Sequence, residues 1–509
     1  MRTLSSTRRD FLKAMGLGVA SLMAPKLVAA AGSKVRKPNI VLILADDMGF
    51  SDLGCYGGEI DTPNLDGMAA QGIRFSQFYN CAKCTPTRNS ILTGLYHQQA
   101  DVGKGGNCVT IAEALHEAGY TTLAAGKWHV GGTPMDRGFD RYFGMLGGSC
   151  SYFVPDETFR LDREPFTTDD KNFYTTNVFT DHALKFLDEA GRKDKPFFLY
   201  MAYNAPHYPL HALPEDIEKY RGKFMKGWDL LRKERYERLI RMGLIDKKWG
   251  LSARGADRHK SFSDVPPWDQ VEDKRGEDLK MAVYAAMVDR MDRNIGRILN
   301  KLRELKAEDN TLVMFLSDNG GCPYERNRPA DIAPGPAESY RTYDSPWANV
   351  SNTPFRLYKR FNHEGGNSTP FIVRWPEVIK KGGDITPQVG HIIDVMATCV
   401  DVAQARYPSQ YKGHKITELE GKSLLPIFEG RRRQGHDALF WEYMNNKAVR
   451  QGKWKLVTVG DNPWELYDME TDRTELNDLS AKMPDKVEEL AGLYEAWVRR
   501  CKTAQGKKS

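Results

Sequence analysis

What this 509-residue chain has little of narrows the field first. Cysteine is sparse: Cys55, Cys81, Cys84, Cys108, Cys150, Cys322, Cys399 and Cys501 are scattered without regular spacing and do not define a disulfide framework. The apolar run Ala14 to Ala24 is too short for an ordinary spanning helix, so no stable membrane span is expected, and no cysteine lies near it to take a lipid. Excess charge of one sign is small. The formal charge is +6, but Arg2, Arg8, Arg9, Lys13 and Lys26 against Asp10 account for +4 of it, leaving +2 beyond residue 31. That balance, and the lack of a nucleic-acid motif, argue against nucleic acid and lend little support to a strongly polyanionic partner.

The composition that remains, 41% hydrophobic over this length, can bury a large core. Thr7-Arg8-Arg9-Asp10-Phe11-Leu12-Lys13 followed by the short apolar run and Ala29-Ala30-Ala31 has the form of a twin-arginine signal peptide over residues 1–31. The expected partner is the twin-arginine export machinery and the expected location periplasmic or extracellular. Because that route carries folded proteins, chemistry at Cys84 would be completed in the reducing cytoplasm.

Apolar runs locate the core strands. Asn39–Ala45, Tyr120–Ala125, Pro196–Met201 and Thr311–Leu316 are continuous rather than alternating, as strands buried on both faces of a parallel sheet are. Each is followed at once by polar residues: Asp46 and Asp47, with Gly49 to permit the turn; Lys127 and His129; His207; Asp318 and Asn319. A hairpin at Asn319-Gly320 would need an apolar return strand, and Cys322–Asn327 is not one. In a mainly parallel sheet ligands bind outside the carboxyl ends of the strands, so all these residues fall on one edge. Between them, Met281, Tyr284, Val288, Met291, Ile295, Ile298, Leu302 and Leu305 recur at helical spacing as a core-packing stripe. Residues 213–275, rich in Lys, Arg, Glu and Trp, read as an excursion around the core. Beyond residue 430, short alternating strands and a final helix around 487–498 read as a small antiparallel C-terminal subdomain.

The stretch Cys81-Ala82-Lys83-Cys84-Thr85-Pro86-Thr87-Arg88 puts a cysteine, a helix start and a fixed positive charge together. Pro86 tolerates only a first helical turn, so Thr85 reads as the cap, and unpaired N–H groups with Arg88 would attract an oxyanion at Cys84. C-T-P-T-R with the trailing T-G at Thr93-Gly94 resembles the signature of the type I sulfatases, whose cysteine becomes formylglycine, although Lys83 stands where that family usually has a small or aliphatic residue. Gly119-Tyr120-Thr121-Thr122 and Gly126-Lys127-Trp128-His129 resemble the family's second signature, and Asp318-Asn319-Gly320-Gly321 its metal motif. Lys359 matches the lysine upstream of the Glu364-Gly365-Gly366 turn. The resemblance covers nearly the whole chain beyond the signal, with residues 32–430 as the catalytic domain and 431–509 as the C-terminal α+β subdomain, and is nearest to bacterial arylsulfatases.

That resemblance implies an α/β fold of the alkaline-phosphatase-like kind, with a large mixed, mainly parallel sheet between helices. It implies a formylglycine made from Cys84 by a formylglycine-generating enzyme, and a metal held by Asp46, Asp47, Asp318, Asn319 and the modified Cys84. Hard oxygen ligands favour calcium, or magnesium, over zinc. Arg88, Lys127 and Lys359 would neutralise sulfate oxygens, His207 would protonate the leaving alcohol, and His129 would take a proton to release sulfate. The expected substrate is a small-molecule or saccharide sulfate ester, with an arylsulfatase reading favoured. Alternatives are a carbohydrate sulfatase, a phosphonate or phosphate monoester hydrolase, an exported sulfated-glycan binding protein, or a thiol oxidoreductase at Cys81/Cys84. Tyr152, Phe153, Phe159, Tyr340, Tyr343 and Trp347 are candidate pocket aromatics, and His211 is a further candidate for the substrate pocket.

Overall fold

The structure is a computed structural model that describes residues 36–255, 262–329 and 331–504. The signal-peptide reading of residues 1–31 lies outside the described residues. From Pro38 onward the chain forms one compact unit. Its centre is a ten-stranded sheet made of β1 (Asn39–Ala45), β2 (Ile73–Phe75), β3 (Thr121–Gly126), β4 (Arg141–Met145), β5 (Phe159–Leu161), β6 (Glu164–Pro165), β7 (Phe197–Ala202), β8 (Thr311–Ser317), β9 (Phe371–Arg374) and β10 (Asp384–Thr386). The order across the sheet is β10-β2-β9-β8-β1-β7-β3-β4-β5-β6. The strands β8, β1, β7, β3 and β4 run parallel, whereas β9 is antiparallel to both its neighbours, which makes the sheet mixed.

The continuous apolar runs have the expected cause. Val41, Ile43 and Ala45 of β1 point into one core layer while Ile40, Leu42 and Leu44 point into the other, so neither face of the strand can be polar. Register then aligns the strand ends. Leu44 and Gly126 both pair with Ala202, and Ala45 pairs with Ser317, so the chain leaves β1, β3, β7 and β8 at one level. Helices cover the sheet, among them α1 (Cys84–Thr93), α2 (Ile111–Glu117), α3 (Gly227–Met242) and α4 (Lys274–Glu304). α2 starts with the Thr110/Glu113 capping box that its sequence announces. α4 buries Met281, Tyr284, Val288, Met291, Ile295, Ile298 and Leu302, the apolar stripe legible in the sequence.

Residues 213–275 are not an excursion, as their composition suggests. Within them α3 docks by a buried cation: Arg235 grips Glu59 with Nε and Nη2 at 3.0 and 2.7 Å and donates from Nη1 to Asp52 at 2.8 Å. Asp52 in turn accepts from Gly49 N at 2.9 Å and from Tyr284 OH at 2.7 Å, so this helix braces the turn after β1. The apolar-run criterion misses such an anchor because its contacts are ionic.

The C-terminal sheet consists of β11 (Leu439–Tyr443), β12 (Asn446–Gln451), β13 (Trp454–Thr458) and β14 (Glu465–Asp468), all antiparallel, followed by α5 (Pro484–Ala504). A buried ionic cluster joins it to the segment that carries Lys359. Lys455 Nζ contacts Glu364 at 2.9 Å and Glu475 at 2.8 Å, Arg473 Nε donates to Glu364 at 2.9 Å, and Arg356 Nη1 donates to Glu465 at 3.0 Å. In the same segment Asn362 Nδ2 donates to the Asn446 carbonyl at 2.8 Å, and Asn446 Nδ2 donates to the Arg360 carbonyl at 3.0 Å. Lys455→Ala leaves two carboxylates buried beside one another and is expected to cost about 3–5 kcal/mol in a urea unfolding titration. Glu364→Gln in the same chain should recover part of that loss, and an unchanged midpoint in the single variant would show that the cluster carries no stability.

Candidate active site

Six charged side chains meet where the four central strands end, in alternating sign. Asp46 and Asp47 follow β1, Lys127 follows β3, Asp318 follows β8, Arg88 lies on α1 and Lys359 on the segment after Thr353; all are buried. Lys127 Nζ donates to Asp46 Oδ2 at 2.5 Å, and Lys359 pairs with Asp47 Oδ1. Arg88 puts Nε and Nη2 on Asp318 Oδ2 at 3.1 and 2.9 Å, gives Nη1 to the Lys127 carbonyl at 2.8 Å, and lies 3.6 Å from Asp46. Burial pushes the Asp46 carboxyl up, but Lys127, His207, Arg88 and Lys359 together hold it well below the carboxylate range. At Asp318 burial and the Asp46 charge win over Arg88, and the carboxyl is pushed well up. Like charges this close cannot all ionise without further positive charge.

Three oxygens of this group have no hydrogen-bond partner: Asp46 Oδ1, Asp47 Oδ2 and Asn319 Oδ1, each fully buried. Asn319 uses its Nδ2 on Asp47 Oδ1 at 2.7 Å, which turns its carbonyl oxygen free. Buried acceptors are seldom left orphaned, and three hard oxygens from adjacent strand ends fit a hard cation. Asp46, Asp47 and His207 offer one ligand atom each within 4.8 Å of one another, which adds His207 to the residues able to hold the ion. Asp318 is less open: one oxygen takes Arg88 and the other lies 3.3 Å from Asp47 N.

The turn that brings both aspartates to one point is made differently from the sequence reading. Asp47 itself takes the left-handed conformation, at φ 67°, and Gly49 is required for another reason: a Cβ there would sit 2.3 Å from the Ser351 backbone. Ala82, His129 and Leu357 are also left-handed, at φ 55°, 55° and 65°, so unfavourable backbone gathers around this one edge.

Cys84 is the first residue of α1, and the cap is Lys83, extended at φ −157°, not Thr85. Thr85 is already helical, and its hydroxyl lies 3.4 Å from both ring nitrogens of His129. Thr87 stitches the helix in place, accepting from Cys81 N at 2.9 Å and donating to the Asp318 carbonyl at 2.7 Å. Burial raises the Cys84 thiol, but Lys127, Lys359 and Lys83 pull it below the usual thiol range. Cys81 goes the other way: burial pushes it up to about 12, and its Sγ lies 3.5 Å from Ser90 Oγ.

The histidines divide by role. Burial, and then Lys127 and Arg88, push His129 down to about 3, which leaves a neutral ring able to accept a proton. Burial, opposed in part by Asp47 and Asp46, also takes His207 to about 3. Its Nδ1 lies 2.6 Å from the Tyr208 carbonyl and must carry the proton there, so Nε2 presents a lone pair 3.5 Å from Asp47 Oδ2. His211 is structural: it accepts from Tyr152 N at 3.3 Å and donates to the Ser339 carbonyl at 2.7 Å. Among the aromatics proposed for the pocket, Phe159, Trp347, Tyr343 and Tyr152 are buried in the core and Phe153 is half-buried against it. Tyr340 is half-buried against Tyr208, which in turn meets Tyr324; periodicity and motif reading missed Tyr208 and Tyr324 because both lie in irregular loops.

A mixed, mainly parallel sheet between helices, with interleaved carboxylates and cations at its carboxyl edge, is the alkaline-phosphatase-like architecture of a sulfuric ester hydrolase. The chain belongs to the sulfatase family: the family model Sulfatase matches residues 38–405, and the model for the N-sulphoglucosamine sulphohydrolase C-terminal region matches 355–493. The arylsulfatase of Klebsiella aerogenes is 33% identical, over 77% of this chain and 91% of its own length. The N-acetylglucosamine-6-O-sulfatase of Bacteroides thetaiotaomicron is 27% identical, over 94% and 89%. Among solved structures, Ps i-CgsB in complex with k-i-k-neocarrahexaose superposes with a TM-score of 0.68 at 26% identity, covering 91% of this chain and 93% of that one. The family generally uses a formylglycine and a divalent metal, and Asp46, Asp47 and His207 form a group that could hold such an ion.

Gly148 offers a check on His129 that removes no functional group. A Cβ at this position would lie 2.6 Å from His129 Nε2, so the imidazole must move. Gly148→Ala is expected to lower kcat by up to about a hundredfold, as a displacement of order 1 Å at a reacting group does. The thermal midpoint should change little, and full activity would contradict the placement of His129 in the site.

Proposed function

We propose that the protein hydrolyses sulfate monoesters through a formylglycine formed from Cys84 and a divalent cation held by Asp46, Asp47 and Asn319, with Asp318 completing the acidic set. The observation that carries this reading is the trio of orphaned buried oxygens beside three fixed cations. With a divalent ion to draw the proton from Asp318, three carboxylates and three cations cancel and the ion's own charge would make the site net positive and suited to a sulfate anion. Calcium is favoured over magnesium because a crowded set of carboxylates suits flexible coordination. When bound, the ion would supply Lewis-acid stabilisation of the sulfate oxygens and lower the pKa of the attacking hydroxyl, and the hydrated aldehyde would supply that hydroxyl.

The chain's own residues do the rest. Lys127, Arg88 and Lys359 converge on the same point and would orient the sulfate and offset charge developing on its oxygens. The neutral His129, beside Thr85 at the start of α1, is placed to accept a proton. His207 must first be protonated at Nε2 before it can donate to the leaving oxygen, so its contribution should depend on how much help that oxygen needs. The segments that bury these groups keep bulk water from competing for the cations. Cys81 and Cys84 are both buried, which speaks against a thiol oxidoreductase, whose cysteines must be reached by a partner's sulfur. Export by the twin-arginine route is proposed on residues 1–31 alone.

For substrate, the family supports sulfate esters and the arylsulfatase reading is proposed, with small aryl sulfates among the compounds turned over. The saccharide named in a relative and the oligosaccharide bound in a structural neighbour make a sugar ester the second reading. Comparing turnover of aryl sulfate with aryl phosphonate separates both from a phosphonate hydrolase. Hydrolysis should persist in Cys81→Ser and vanish in Cys84→Ala; loss in the first with retention in the second would reverse the assignment. Chelation should abolish turnover, with calcium restoring it. His207→Ala should slow an alkyl sulfate by about 10²-fold or more but para-nitrophenyl sulfate far less, since a good leaving group needs no acid. Equal losses on both would contradict the acid role.

A further inference from the structure

Outside the buried charges, the mouth of the site is walled by three half-buried tyrosines. Tyr208 follows His207 and stacks on its ring with centroids 4.2 Å apart. Tyr324 lies 6.3 Å from Tyr208 on one side and Tyr340 5.9 Å on the other, both edge-on. Tyr324 also touches the inner cations: Lys359 Nζ is 5.6 Å and Lys83 Nζ 5.2 Å from its centroid, and Lys83 donates to its hydroxyl at 3.3 Å. A sulfate ester whose sulfate reaches Lys359 and whose bridging oxygen reaches His207 would direct its leaving group outward along the wall that Tyr208 and Tyr324 form.

Arg326 sits on that same pair of rings. Its guanidinium carbon is 5.4 Å from the Tyr208 centroid and 5.5 Å from the Tyr324 centroid. It is exposed, and among the described residues it is paired with no carboxylate. An exposed arginine with no acid to hold it would ordinarily sample many rotamers, but here the aromatic faces define where it lies. Its backbone is fixed as well: Arg326 N donates to Thr342 Oγ1 at 2.9 Å, and two residues on, Arg328 and Tyr340 exchange backbone hydrogen bonds of 3.0 and 2.8 Å. Contact with the aromatic rings uses up none of the guanidinium's oxyanion-binding capacity, so its N–H donors stay available for an anionic group.

We propose that the natural leaving group is a sugar that carries a second anionic group, a carboxylate or another sulfate, and that Arg326 binds that group while the sugar rests against the wall of Tyr208 and Tyr324. The inference rests on the sulfate-ester reading of the site, takes the sugar ester rather than the aryl sulfate as the natural substrate while leaving small aryl sulfates among the compounds turned over, and goes beyond both by assigning the substrate's second charge. Lys359 and Arg326 share the Tyr324 ring, so the hydrolysed sulfate and the second anion belong to the same or adjacent sugar units. A neutral aryl group would use the tyrosine faces and leave Arg326 without a partner.

The test uses the active full-length enzyme and a matched pair of sulfated disaccharides that differ only in whether the ring beside the sulfated one is a hexuronate or the corresponding hexose, with para-nitrophenyl sulfate alongside. The uronate should be preferred in kcat/KM by about tenfold, the size of one hydrogen-bonded charge pair. Arg326→Gln should bring that ratio close to one and Arg326→Glu should invert it. Rising salt should erode the preference in the unmodified enzyme and leave the ratio of Arg326→Gln unchanged. The ratio is read within one preparation, so a change in the amount of folded enzyme cancels. A ratio near one in the unmodified enzyme, or a preference that survives Arg326→Gln, would overturn the proposal. If para-nitrophenyl sulfate is hydrolysed while both disaccharides are inert, only this inference falls; if all three are inert, the sulfate-ester reading falls with it.

Discussion

The structure depends on keeping three carboxylates and three fixed cations buried together without letting them collapse into a permanent neutral salt. Asp46, Asp47 and Asp318 each face a cation, yet Asp46 Oδ1, Asp47 Oδ2 and Asn319 Oδ1 are left without a hydrogen bond. Burying such groups is costly unless they are paired, and a cluster of this kind is poor value for stability alone. It makes sense as a charge framework for a cation and an anion that bind together. The cations that neutralise the acids in the protein are those that would hold the sulfate.

The surrounding fold supplies the rigidity this requires. Four parallel strands end at one level, which sets the spacing of the acids and of Lys127. The left-handed residues Asp47, Ala82, His129 and Leu357 each disfavour their own conformation by about 1–3 kcal/mol. They are held by neighbours from distant parts of the chain. Arg235 braces the turn after β1, Ala82 accepts from Arg360 N at 2.7 Å, and Gly321 accepts from Lys359 N at 3.1 Å. The ionic cluster around Lys455 and Glu364 ties the Lys359 segment to the C-terminal sheet, so that subdomain belongs to the site's support. Local strain at the edge is offset by packing elsewhere.

Much of this was legible in the chain because buried parallel strands leave a continuous apolar run, and the residue that ends such a run sits at the edge where ligands bind. Asn39–Ala45 and Thr311–Leu316 therefore located Asp46, Asp47, Asp318 and Asn319. What was not legible depends on backbone conformation or on contacts far apart in sequence. The left-handed Asp47, which displaces Gly49 from the turning role, leaves no composition signal. Nor does the second lysine of the C-terminal sheet, Lys455, whose partners lie 91 and 20 residues away in a cluster read as short strands. Tyr208 and Tyr324 sit in loops without periodicity, and the aromatics chosen instead, such as Trp347, pack into the core against Trp228 with centroids 5.5 Å apart. A loop aromatic cannot be sorted into wall or core until the chain around it is placed.

On the proposed function the reaction begins at Cys84, which Lys127, Lys359 and Lys83 draw below the usual thiol range at the start of α1. The most direct test is a mass spectrum of the peptide containing Cys84, taken from enzyme of measured specific activity. The account predicts the aldehyde or its hydrate at that position, in a fraction that rises with activity across preparations. An intact thiol at Cys84 in fully active protein would contradict it.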